Sequence, residues 1–83
     1  MTKAQQKTLE RFAMRARRTQ QTPDRMEIDA VLYYIHPTQH NGVSHALQRG
    51  PGWYAQELER IVAADRQHKT PVQVEDDRVK KGS

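Results

Sequence analysis

Six cations crowd the first eighteen residues. Lys3, Lys7, Arg11 and Arg15 recur at four-residue steps, Arg18 follows three later, and Arg17 sits beside it. On an α-helix, steps of three and four return to one face, so this spacing predicts a single cationic stripe with Arg17 flanking it. Phosphates are the matching chemistry. Cations spaced along a nucleic-acid backbone release its condensed counterions, and a guanidinium can hold a phosphate through two hydrogen bonds. An acidic protein surface would satisfy the same stripe. The plain alternative is a solvated helix face with no partner, because charge stripes are common on small helices. A membrane surface fits less well, since Leu9 and Phe12 are the only large apolar residues on the opposite side.

A second group of candidates follows the middle of the chain. In Gly42-Val43-Ser44-His45-Ala46-Leu47-Gln48-Arg49-Gly50, the Gly-Val-Ser opening with a leucine three residues after the serine is similar to the start of a recognition helix in helix-turn-helix proteins. There His45, Gln48 and Arg49 would reach base edges or phosphates. The likeness covers nine residues, and the preceding His36–Asn41 loop is longer than that motif's turn of roughly three to four residues. The favoured reading is a short connecting helix whose Leu47 plugs the core. Trp53 and Tyr54 offer a partner anchor, since both types dominate binding hot spots, although a small core would claim them first. His36, His40 and His45 lie within ten residues, yet no carboxylate or cysteine accompanies them, and loop roles outweigh a zinc site.

Nothing points to catalysis. No serine occupies a nucleophile elbow and no glycine-rich loop could cradle a phosphate. Asp76 and Asp77 fall where solvent would keep them ordinary. The expectation is a binding protein, not an enzyme, with no cofactor.

Composition narrows the frame. The chain has 83 residues and a net charge of +4, which allows one domain. Residues 1–25 hold seven basic and two acidic side chains, so the whole imbalance resides in the stripe and its surroundings. Without cysteine, disulfides and thiolate metal sites are excluded. No apolar run is long enough to span a membrane and no signal-peptide pattern opens the chain, so a soluble, cytoplasmic protein is expected. The candidate core is thin: Leu9, Phe12, Ile28, Val31, Leu32, Ile35, Leu47, Trp53, Tyr54, Leu58, Ile61 and Val62. A core of this size leaves room for stabilisation by a second copy or an obligate partner.

Local signals then place the elements. Good helix formers fill residues 3–20, with Thr2 as N-cap. A second helix is expected over 24–35, with Thr22 as N-cap and Pro23 at the first position. Ile28, Val31, Leu32 and Ile35 form one apolar stripe there, and Met26, Ala30 and Tyr33 form another. Two apolar sides predict a central helix packed between the first and the last. Of the adjacent Tyr33 and Tyr34, one is expected buried and the other available. Residues 37–42 read as a loop. A short helix follows over 44–49, capped by Ser44 and ended by Gly50. Gly50-Pro51-Gly52 reads as a break before a fourth helix over 53–67. Residues 71–83 read as a mobile tail. The expected fold class is all-α: three main helices plus one short helix in a domain over 1–70. The expected function is nucleic-acid binding through the first helix. The alternative is a small regulator or inhibitor, of the kind phages and mobile elements encode, docking on a larger protein.

Overall fold

Residues 1–69 are described by the structure, a computed structural model, with side chains through Gln67. They form four α-helices and no strand, an all-α bundle. α1 spans Lys3–Thr19 and starts in a capping box. The Thr2 hydroxyl accepts from the Gln5 amide at 3.1 Å, while the Gln5 side-chain oxygen accepts from the Thr2 amide at 2.9 Å. This satisfies two of the donors that a helix start leaves orphaned. The helix ends at Gln20, whose φ of 57° is left-handed. Its side-chain amide donates to the Arg17 carbonyl at 2.7 Å.

α2 spans Arg25–Tyr34 and is capped by Asp24, whose carboxylate accepts from the Glu27 amide at 2.8 Å. Thr22 and Pro23 therefore lie outside the helix. Asp24 wins because its carboxylate both caps and places a full negative charge at the positive end of the helix dipole, where a threonine hydroxyl offers only the cap.

The expected 37–42 loop is not a loop. Pro37–Gln39 form a single 3₁₀ turn that runs directly into α3, His40–Arg49. His36 builds the turn: its Nδ1 accepts from the Thr38 amide at 3.2 Å, and its own amide donates to the Gln39 side chain at 3.1 Å. His40 Nε2 donates to the Leu32 carbonyl at 2.9 Å, tying the start of α3 to the end of α2. Two of the three histidines thus serve as local staples. Ser44 is interior to α3 and caps nothing.

One residue joins α3 to α4, Pro51–Lys69. The Gly50 amide donates to Ala46 at 3.1 Å and its carbonyl accepts from Tyr54 at 3.0 Å, so it closes one helix and opens the next. Its φ of 132° and ψ of 173° belong to a region essentially restricted to glycine. Pro51 then suits the first position of α4, where no amide donor is needed.

The central helix is α4, not α2. Tyr54, Ala55, Leu58, Ile61 and Val62 are fully buried and pack against α1 on one flank and α3 on the other. The small Ala13 and Ala16 of α1 allow that helix to approach closely. α2 lies at the periphery, burying Val31 and Ile35, while its second stripe faces solvent: Met26 and Tyr33 are more than 80% exposed. Val43 and Ala46 join the core unannounced. Phe12, Leu32 and Leu47 only line it, and Trp53 is outside it. Tyr34 is half-buried against Tyr33, their rings edge to face at 6.1 Å. No helix among the described residues is long and apolar enough to cross a membrane. The segment 71–83 lies outside the described residues.

Candidate functional site

The packed face of α1 consists of Gln6, Leu9, Ala13 and Ala16. Polar contacts clasp its α4 edge: Gln6 donates to Asp65 at 2.6 Å, Arg66 pairs with Glu10 at 2.9 Å, and Arg17 grips Glu59 at 2.6 and 3.1 Å. The order of these pairs makes α1 and α4 antiparallel. Arg17 is therefore committed to α4 rather than presented to a partner. Its hydrogen bonds to Glu59 raise the guanidinium pKa further above its ordinary value.

A second polar contact closes the α2 edge. The Glu27 side chain is only 6% exposed, and its carboxylate accepts from the Tyr54 hydroxyl at 2.7 Å and from the Arg15 guanidinium. A carboxylate so buried would be costly without such partners. Burial, then the hydrogen bond to Glu27, holds the Tyr54 phenol well above its ordinary pKa. Arg15 reaches Glu27 across Phe12, its guanidinium 5.5 Å from the ring centroid, and keeps about half its surface in solvent. Sequence reasoning missed Glu27. The available signal was its register: Glu27, Val31 and Ile35 are spaced four apart on the buried face.

The outer face carries the rest of the stripe. Lys3, Lys7, Arg11 and Arg18 are exposed, and none of them forms an ion pair or hydrogen bond among the described residues. Near its C-terminal end, Arg11, Arg15 and Arg18 line a depression of about 310 Å³ together with Phe12 and the exposed Met14. Of the six cations, four are unpaired, one is shared with Glu27 and one is locked to Glu59.

The secondary candidates divide. His45, Gln48 and Arg49 are exposed on α3, beside the half-exposed Trp53. Tyr54 is fully buried and cannot meet a partner, because its ring fills the core and its hydroxyl is held by Glu27. His36, His40 and His45 do not converge. Among the described residues no group of three or more histidine, aspartate or glutamate side chains could hold a metal ion. The chain matches no family model, no curated protein and no solved structure.

Proposed function

We propose that this chain binds nucleic acid through the phosphate backbone, using the outer face of α1. The observation that carries this reading is the row of cations, Lys3, Lys7, Arg11 and Arg18, unpaired among the described residues on the solvent side of α1, away from its packed face. A helix anchored on one side fixes their backbone positions, so binding phosphates need order only the side chains. Cations four residues apart rise about 6 Å along the helix. That rise is comparable to the separation of successive phosphates along one strand, so a helix lying along a backbone can offer neighbouring phosphates one cation each. Arg15 adds a partial contribution, since its donors are shared with Glu27. Backbone contacts of this kind carry no sequence information.

Binding of a fluorescein-labelled duplex tests the reading. About four phosphate contacts imply a loss of roughly a hundredfold or more between 50 and 200 mM salt. The combined variant Lys7→Gln, Arg11→Gln, Arg18→Gln is expected to lose at least about a hundredfold in affinity at the lower salt while keeping its helical circular dichroism. Arg15 is left intact because its removal would strand Glu27. Unchanged affinity in the folded triple variant would exclude the stripe as the binding face.

A further inference from the structure

Away from the stripe, α3 and α4 enclose a groove of about 280 Å³ lined by His45, Arg49, Trp53, Gln56, Glu57 and Arg60. Trp53 is the only tryptophan of the chain and stands 52% exposed at this groove. The guanidinium of Arg49 lies over its ring, 4.7 Å from the centroid. Such a cation–π contact orders both groups, yet Arg49 forms no hydrogen bond among the described residues, and neither do His45 or Gln56. The groove thus combines an ordered indole with a rim of unused donors. Its one carboxylate is already neutralised: Glu57 accepts from Arg60 through both nitrogens of the facing edge, one of them at 3.2 Å. Gly42 makes room for that carboxylate, since a Cβ there would sit 2.7 Å from a Glu57 oxygen. The net local charge is positive.

We propose that this groove docks an acidic segment of a partner protein, which inserts one apolar side chain against Trp53 and sets a carboxylate on Arg49. Three features favour a protein segment. The groove lies at the low end of the roughly 300–1,000 Å³ of sites that engulf small ligands, a size that suits a single anchoring side chain. Tryptophan and arginine are the residue types that carry most interface energy. Arg49 also covers one ring face, and a carboxylate takes the guanidinium edge while leaving that cation–π contact in place. The surface is separate from the α1 stripe. Glu59 faces α1 and Glu57 faces α3, two residues and so about 200° apart around α4. Both faces can be occupied together.

The experiment pans a phage-displayed random 12-residue peptide library against the full chain and measures the selected peptides by Trp53 emission, which reports the groove alone. The expected result is enrichment of peptides pairing aspartate or glutamate with an apolar residue. Trp53→Ala, followed by calorimetry, should weaken them by about thirtyfold or more and Arg49→Gln by about tenfold. The Lys7→Gln, Arg11→Gln, Arg18→Gln variant should bind them within about twofold, because those residues lie elsewhere. Four results would overturn the proposal: no enrichment, enrichment without acidic residues, peptides lost in the stripe variant, or a Trp53 emission change produced by oligothymidylate and abolished by Arg49→Gln. A fifth is peptide affinity unchanged in a folded Arg49→Gln chain.

Discussion

Arg15 and Arg17 differ from Arg11 and Arg18 in fate, not in kind. All four lie within eight residues of one helix and share one chemistry. Arg17 is consumed by Glu59 and Arg15 half-consumed by Glu27, while Arg11 and Arg18 face only water among the described residues. The two edges of α1 also differ from one another. The two ion pairs of the α4 edge, Arg17–Glu59 and Arg66–Glu10, are solvent-exposed, and exposed pairs contribute little. The α2 edge is a buried carboxylate with two partners, and removing one partner of a buried charge is expensive. A helix read as one basic stripe is therefore two things, a binding face and a set of internal braces.

The largest effect should appear where the brace is buried. Arg15→Gln is expected to cost about 2 kcal/mol in urea unfolding, less than the roughly 3–5 kcal/mol of a fully buried pair because Arg15 is half in solvent. Arg11→Gln and Arg18→Gln should stay within about 0.5 kcal/mol. Equal costs for all three would erase the distinction. Gly50→Ala, at the joint of α3 and α4, is expected to cost about 1–2 kcal/mol, and the loss should be shared by every probe because one helix closes and the next opens on that residue.

Tyr54→Phe should cost about 1–2 kcal/mol by leaving Glu27 short of a donor. It also carries a pH signature. The Tyr54 phenol is raised in the folded state, so its contribution is fully present below the unfolded pKa of about 10 and is lost as pH rises toward the folded value. Wild-type stability should fall more steeply above pH 10 than that of Tyr54→Phe. Superimposable alkaline limbs would contradict the Tyr54–Glu27 bond. The smallest effect belongs to Arg17→Gln, which should leave the urea midpoint nearly unchanged, as an exposed clasp implies.

These contrasts mark how far the residues alone could be read. The four-helix content, the extent of α1 and its Thr2 cap were legible because periodicity and capping are local. So was the side of α1 that packs, since Leu9, Ala13 and Ala16 share it. Partners were not legible. Glu27 lies twelve residues from Arg15 and Glu59 forty-two from Arg17, and nothing in the spacing ties them. The start of α3 was missed because its stabilisation comes from His36 and from the Leu32 carbonyl on α2, not from a cap at Ser44. The choice of α4 as the central helix was missed for a related reason. Two apolar stripes on α2 do not say that only one will find a neighbour, and nothing local in Tyr54, Leu58, Ile61 and Val62 says that α1 and α3 will pack on both flanks of α4. Trp53 was weighed as core, but its register with Gln56, Glu57 and Arg60 puts it on the α3 flank of α4, where Arg49 rather than the core receives it.

The central claim is that α1 binds through its unpaired cations and not through its braces. The most direct test is the salt dependence of duplex binding, measured by fluorescence anisotropy for single variants. Lys7→Gln, Arg11→Gln and Arg18→Gln should each reduce the slope of log K against log salt by about 1, while Arg17→Gln leaves it unchanged. A slope that falls equally for Arg17→Gln, or that falls for none of the four, would contradict the account.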